Sequence, residues 1–224
     1  MYGWADSLLD ARSRAEELQK ENRELRQLFI QSQFASQELE SLKRLFGYVE
    51  GPRFPEDYDP VPAEVIGVPA GTFTRAIVIA AGTDNGVRVE DPVVTADGLV
   101  GLVTRVTDGT ARVQLLTDQD AAVSAVDLRT GARGIVLHAR GTRETLVLDF
   151  VRKQDEIKQG DEIVTAGWRA GGLSSLYPKG IPIGEVTSFG LTDTDVFQQV
   201  QVEPYVDFGA LDAVIVLRPP ERPQ

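Results

Sequence analysis

The sequence has no cysteine and only one histidine, His138, among its 224 residues. The lack of cysteine excludes a disulfide framework, a thiolate nucleophile and any cysteine-ligated zinc or iron–sulfur site. A serine-type triad needs an imidazole base, and His138 is the one candidate. It ends a short apolar run, residues 134–138, and we expect it to be an exposed structural residue.

Positive charge and long apolar runs are also scarce. There are 23 Lys and Arg residues against 34 Asp and Glu, a formal net charge of −11, so nucleic acid is not an expected partner. No run of about 18 apolar residues is present, and the start lacks the pattern of a signal peptide. Walker A, dinucleotide-binding and Gly-x-Ser-x-Gly motifs are missing too. We therefore expect no enzyme activity, no catalytic residues, no cofactor and no metal.

Glycine and proline divide the chain into parts of different architecture. Only Gly3 and Gly47 lie within the first 50 residues, and all 12 prolines lie at Pro52 or later. A segment without helix breakers favours one long helix, and a segment rich in turn residues favours short strands. We predict a coiled-coil helix over residues 1–50 and a proline-rich linker over residues 51–62.

The helical segment carries an apolar seam with alternating spacings of three and four residues. This spacing is typical of a coiled coil, and Asn22 on the seam favours two strands in register. A single amphipathic helix packed on its own globular domain remains the alternative, although it usually shows a wider apolar face. We predict a homodimer, with higher assemblies left open, whose seam residues are Leu8, Ala11, Ala15, Leu18, Asn22, Leu25 and Phe29.

From Ala63 onward about twelve short β-rich runs alternate with turn signals such as Asp97-Gly98. This pattern predicts antiparallel barrels, so the fold class is mainly β with an N-terminal helical coiled coil and two small antiparallel β-barrels.

Residues 87–96 also align with residues 157–166. We interpret this repeat as two halves of one barrel. The predicted first barrel is therefore residues 63–101 and 153–218, with a second barrel, 102–152, inserted and a tail at 219–224.

Several segments, in their order along the chain, resemble the MreC family of bacterial rod shape-determining proteins. The most specific is Tyr177-Pro178-Lys179-Gly180-Ile181-Pro182-Ile183-Gly184. The others are residues 21–28, 63–67, 82–87, 92–101, 112–118, 130–134 and 204–208. Apart from residues 21–28, these segments are distributed along residues 63–208.

This resemblance implies a non-enzymatic envelope scaffold of the cell-elongation machinery. Its implied partners are MreB, MreD, RodA and a class B penicillin-binding transpeptidase, and its implied location is the periplasmic face of the inner membrane. Family members have one membrane helix, so the full-length protein is expected to be a single-pass membrane protein. This sequence departs from the family pattern in having no such helix. Either it starts after that helix or this member of the family lacks it.

Three aromatic residues are candidates for binding the partner enzymes: Phe73, Tyr177 and Phe197. The alternative for each is an ordinary place in a barrel core. A different class, the periplasmic adaptor of an efflux or secretion system, also combines a coiled coil with small barrels. Adaptors usually carry a helical hairpin with barrel sequence on both sides, whereas here one helix precedes all the strands. A barrel hydrolase would need a base other than His138.

Overall fold

The computed structural model describes residues 3–69, 75–139, 145–167, 169–170, 173–190 and 197–219. The N-terminal part is one helix, α1, over Gly3–Val49. The chain forms two compact units, one ending at Lys43 and the other running from Arg44 to the C-terminus. No helix in the described ranges has the length and apolar character needed to cross a membrane.

The second unit is built from β-strands, and the residues that the structure describes also include one 3₁₀ turn at Thr83–Asn85. In chain order the strands are β1 (Asp59–Gly67), β2 (Ala76–Ile79), β3 (Pro92–Val94), β4 (Leu99–Val106), β5 (Ala111–Leu115), β6 (Ala122–Asp127), β7 (Arg133–His138), β8 (Leu146–Arg152), β9 (Glu162–Thr165), β10 (Arg169–Ala170), β11 (Leu173–Ser174), β12 (Pro182–Gly190), β13 (Phe197–Pro204) and β14 (Ala213–Arg218).

Twelve of these strands close into two antiparallel barrels. Barrel 1 has the strand order β1-β14-β3-β4-β5-β2, and barrel 2 has the order β12-β13-β8-β7-β6-β9. The short strands β10 and β11 form a separate two-stranded hairpin. The predicted fold class, mainly β with a helical N-terminus and two small antiparallel barrels, is confirmed.

The predicted bounds of the two barrels are wrong. Strands β4 and β5 close barrel 1, because β5 pairs with both β4 and β2. Strands β9, β12 and β13 belong to barrel 2, which therefore runs from residue 122 to residue 204 between β5 and β14. The error comes from the internal repeat: its two copies contribute β3 to barrel 1 and β9 to barrel 2, so the repeat marks two barrels.

The predicted linker, residues 51–62, is also too long. Its last four residues belong to β1, which starts at Asp59 and pairs Pro60 with Leu217 of β14. The backbone N–H of Val65 points toward β14 and donates to the carbonyl of Asp212. By strand alternation the nitrogens of Pro60 and Pro62 therefore face away from β14, so proline is tolerated because no ladder bond is lost.

Two clusters of buried apolar side chains fill the second unit. One lies inside barrel 1 and contains residues such as Ile79, Val103 and Val113. The other fills barrel 2 and also takes in Leu99 and Ile215 of barrel 1. Tyr48, in the last turn of α1, joins this second cluster, which therefore contains residues from the end of the helix and from both barrels.

Candidate functional site

The predicted seam of α1 presents large apolar side chains to solvent. Leu18 is 64% exposed, Leu25 58% and Phe29 64%. Asn22, between the two leucines, is exposed as well. The side chains of Leu8, Ala11 and Ala15 lie outside the described residues. Large apolar side chains exposed along one face of a polar helix are typical of a surface used in association.

The seam is interrupted by two serines whose hydroxyls bond to their own helix. The Ser32 hydroxyl donates to the Phe29 carbonyl at 2.9 Å, and the Ser36 hydroxyl donates to the Ser32 carbonyl at 2.8 Å. Such bonds satisfy the hydroxyl locally, so neither serine demands a polar partner across the seam. The apolar part of the seam that the structure describes therefore ends at Phe29 and resumes at the exposed Leu39.

Phe197, predicted as a partner-binding residue, lies on the surface of barrel 2 next to a second aromatic side chain. The rings of Phe197 and Phe150 meet edge to face, with centroids 5.6 Å apart and planes at 67°. Phe197 is 40% exposed and Phe150 is 49% exposed. Aromatic pairs usually pack inside a protein core. This pair is exposed instead, so a partner protein can contact it.

A β-bulge brings Phe150 to this position. The register of β8 against β13 shifts so that Val151 faces Gln198 while Leu148 faces Val200, which leaves one extra residue on β8. Phe150 adopts a left-handed φ of 62°, rare for an aromatic residue. Sequence reasoning missed Phe150, because simple alternation after Leu146 and Leu148 places it inside the barrel. The bulge turns it outward, and Val151 is buried in its stead.

The neighbouring residue Gln198 fixes the strand under this pair. Its side-chain amide nitrogen donates to the carbonyls of Arg152, Lys153 and Asp155, at 3.0, 3.1 and 2.9 Å. The side chain is buried, so these bonds tie β13 to the turn after β8. The hydrogen bonds of Gln198 therefore fix the backbone of β8 and β13, the two strands that carry the aromatic pair.

The other two aromatic candidates differ from Phe197. Tyr177 is half-buried and packs against the core cluster of barrel 2. Burial raises the pKa of its hydroxyl to about 12. Phe73 lies outside the described residues.

His138 is half-buried, and the expectation of an exposed histidine was wrong. It is the last residue of β7 and pairs with Leu146 of β8. Burial, and then the charge of Arg75, lower the pKa of its imidazole. The nearby Asp118 carboxylate accepts hydrogen bonds from the backbone N–H of Arg75 at 2.6 Å and from the Gln114 amide at 2.7 Å. In the described part of the chain, no three His, Asp or Glu side chains come together in a metal-binding arrangement.

Comparison with known proteins places this architecture in one family. Residues 65–218 match the family described as "Rod shape-determining protein MreC, barrel core". The "Cell shape-determining protein MreC" of Haemophilus influenzae is 29% identical over 221 residues, which are 97% of this chain and 60% of that protein. The chain thus spans about three-fifths of the length of this relative.

Solved structures agree on the fold. One named "MreC" is 30% identical and superposes with a TM-score of 0.72, covering 82% of this chain and 98% of that one. A second, named "Complex between Penicillin-Binding Protein (PBP2) and MreC from Helicobacter pylori", is 19% identical with a TM-score of 0.55, covering 70% of this chain and 96% of that one. The resemblance seen in the sequence is confirmed: the chain belongs to the MreC family, whose curated members carry the name cell shape-determining protein.

Proposed function

We propose that this chain is the extracytoplasmic part of a non-enzymatic scaffold that maintains rod shape. The family match over residues 65–218 is the observation that carries this proposal. In it, α1 joins two copies and the barrels bind enzymes of peptidoglycan synthesis. The adaptor of an efflux or secretion system is not favoured, because both the sequence relatives and the structural neighbours are MreC proteins.

The proposed dimer rests on the exposed seam of α1. Each of Leu18, Leu25 and Phe29 is more than half exposed, and burying one such side chain contributes about 1.5–3 kcal/mol. A second copy of the same helix offers an identical seam. Asn22 then meets its own copy, which costs stability but fixes the register of two strands. These contacts favour a parallel two-stranded coiled coil over residues 8–29.

The proposed enzyme-binding surface is the exposed aromatic pair Phe150–Phe197. Aromatic side chains on a rigid strand pair bury a large area on binding and lose little side-chain entropy. We take a class B penicillin-binding transpeptidase as the partner, with support from the complex of PBP2 and MreC from Helicobacter pylori. Binding that prefers one conformation of the enzyme would shift its population toward that state, and the scaffold needs no chemistry of its own.

The remaining partners and the location follow from family membership. RodA and MreD would lie in the membrane and MreB on its cytoplasmic side. The barrels would work in the periplasm, in a full-length protein anchored by a single membrane helix. In this arrangement α1 is a spacer, since 47 residues of helix span about 70 Å.

The test is cell shape after depletion of the full-length protein in its native host. Cells should lose their rod shape and recover it with the wild-type gene. The double variant Leu18→Asp, Leu25→Asp and the single variant Phe197→Ala should each fail to restore rods while accumulating to wild-type levels. Rod-shaped cells throughout depletion would refute the shape function, and rods restored by either variant would refute the surface that it alters.

A further inference from the structure

The chain crosses between the two barrels twice, and His138 lies beside the first crossing. The first crossing is residues 116–121, between β5 and β6, and the second is residues 205–212, between β13 and β14. Among the described residues, two charged groups are close enough to act on the His138 imidazole. They are Asp118 of the first crossing and Arg75, which directly precedes β2 of barrel 1. His138, at the end of β7, therefore belongs to a contact between barrel 2 and barrel 1.

The carboxylate of Asp118 is already occupied by other donors. Its side chain is buried, and one oxygen accepts the backbone N–H of Arg75 at 2.6 Å. The other oxygen accepts the Gln114 amide at 2.7 Å and the backbone N–H of Asp120 at 3.0 Å. These three bonds tie the first crossing to barrel 1. Asp118 therefore cannot turn toward His138 without giving up bonds of its own.

The imidazole of His138 is placed to suit its neutral form. Its Nδ1 atom is buried and has no hydrogen-bond partner among the residues that the structure describes. A neutral imidazole can keep its proton on Nε2 and leave a lone pair on Nδ1, whereas protonation makes both nitrogens donors. The buried Nδ1–H would then lack an acceptor, and the new charge would lie near the guanidinium of Arg75. Protonation therefore works against this contact.

A second contact between the barrels consists of backbone and apolar side chains. Gly98, in the turn between β3 and β4 of barrel 1, lies against Pro182 at the start of β12. A Cβ at Gly98 would fall 2.5 Å from the Pro182 carbonyl oxygen. Leu99 and Ile215 of barrel 1 also extend the apolar cluster of barrel 2. These groups do not titrate, so they keep the barrels attached when the contact at His138 loosens.

We propose that His138 is a pH-sensitive contact that sets the position of barrel 2 relative to barrel 1. In its neutral form the imidazole packs beside Arg75 and the first crossing, and the barrels keep one arrangement. In its protonated form the imidazole leaves this site for water, and the barrels pivot about the contact of Gly98 with Pro182. This inference goes beyond the proposed function, because the change needs no partner protein.

The direction of the pH dependence follows from the surroundings of His138. Burial, and then the charge of Arg75, lower the pKa of the imidazole, while Asp118 acts in the opposite direction. The ordinary value for histidine is about 6.5, so the neutral contact is complete above that pH. It is lost as the pH falls below 6.5 through the lower value of the folded protein.

The first test is an NMR titration of the imidazole protons. His138 is the only histidine, so its ring resonances need no assignment. Arg75→Gln removes the nearby charge, keeps the backbone N–H that bonds to Asp118, and should raise the pKa of His138. Arg88→Gln, which removes an equal charge from an exposed site before β3, is the matched control and should leave that pKa unchanged. A wild-type pKa at or above 6.5, or equal effects of the two variants, would overturn the proposal.

The second test measures the distance between the barrels. Because the chain has no cysteine, one spin label can be placed on each barrel through Glu64→Cys on β1 and Gln199→Cys on β13, both exposed positions. Double electron–electron resonance should give a narrow distance distribution at pH 7.5 and a broader or displaced one at pH 5. His138→Gln should keep the narrow distribution at both pH values, and Arg75→Gln should move the change to higher pH.

Two results of the distance measurement would refute the pivot. One is an unchanged wild-type distribution between pH 7.5 and pH 5, and the other is the same change in His138→Gln. If His138→Gln does not fold, the shift expected for Arg75→Gln still decides the question. Neither test uses a transpeptidase, so a failure here is distinct from a failure of the proposed enzyme-binding surface.

Discussion

Asp91 and Asp161 occupy the same place in the two barrels. The carboxylate of Asp91 accepts the backbone N–H of Arg88 at 2.8 Å, and that of Asp161 accepts the backbone N–H of Lys158 at 2.7 Å. Both aspartates are buried at the start of a strand, β3 in barrel 1 and β9 in barrel 2. One turn has thus been used twice, 70 residues apart, to lead the chain into each barrel.

The residue before each aspartate shows how the two copies differ. The backbone N–H of Glu90 donates to the carbonyl of Val103 at 2.8 Å, and that of Gly160 donates to the carbonyl of Val186 at 2.8 Å. Both adopt left-handed φ angles, 70° and 86°. Glycine adopts this conformation without strain, whereas a residue with a Cβ does so at a cost.

We expect Gly160→Ala to lower the free energy of unfolding by about 1 kcal/mol, because the new methyl group strains the left-handed backbone. A Cβ at Gly160 would meet no atom within 4 Å, so crowding does not contribute. Gly109→Ala is the matched control, since that position is equally open and has no positive φ. Urea denaturation measures both, and an equal loss in the two variants would contradict the backbone argument.

Stability at acid pH should depend on Asp161. Arg129 donates two hydrogen bonds to this carboxylate, at 2.6 and 2.7 Å, and these bonds with the Lys158 N–H hold its pKa at about 2. The unfolded value is about 3.9, so the stabilisation is complete above that pH and is lost as the pH falls toward 2. Unfolding free energy should therefore fall between pH 5 and pH 2, and less steeply in Asp161→Asn.

The control for this pH dependence is Asp108→Asn, which alters an exposed aspartate on the turn between β4 and β5. It should keep the wild-type slope of stability against pH. If Asp161→Asn kept that slope too, the ion pair between the buried Asp161 and the partly exposed Arg129 would not be the source of the acid sensitivity.

The seam of α1 should control the oligomeric state. Replacing Leu18 and Leu25 together by aspartate puts four charges into the proposed dimer interface and should give monomers in analytical ultracentrifugation. Asn22→Leu should raise the melting temperature and broaden the distribution of species. Gln27→Asp, on the face opposite the seam, should remain dimeric. A double aspartate variant that still sedimented as a dimer would place the interface elsewhere.

The aromatic pair allows binding to be separated from folding. Phe150→Gly removes one ring but accepts the left-handed φ, so the unfolding free energy should stay within about 1 kcal/mol of wild type. Binding to a purified class B transpeptidase should weaken about tenfold or more, as for a hot-spot residue. Leu128→Gly, another exposed apolar site on barrel 2, is the comparison and should bind normally. Equal binding by the wild type, Phe150→Gly and Leu128→Gly would show that Phe150 is not part of the enzyme-binding surface.

Local features of the sequence were enough for the broad architecture. The near absence of glycine and proline from the first 50 residues predicted α1, and period-two runs with turn residues predicted barrels. The repeat at residues 87–96 and 157–166 contains the same aspartate turn twice, but its interpretation as two halves of one barrel was wrong, because each copy leads into a different barrel. Family resemblance was carried by ordered segments and needed no coordinates.

The placement of functional side chains depended on long-range pairing. A one-residue bulge in β8 moved Phe150 from the expected interior to the surface, and Tyr177 packed against the core of barrel 2. Glu185 of β12 lies opposite Glu162 of β9 and Glu203 of β13, three positions that no spacing along the chain relates. Only the registers of three strands bring them together.

Local sequence features were sufficient to identify a helix without breakers followed by a β-rich region of the MreC family, because propensity, turn chemistry and motifs act over a few residues. Which strands close which barrel, and which side chains face solvent, could be seen only in the folded molecule. Strand register depends on contacts between distant segments, and a shift of one residue exchanges the inner and outer faces of a strand.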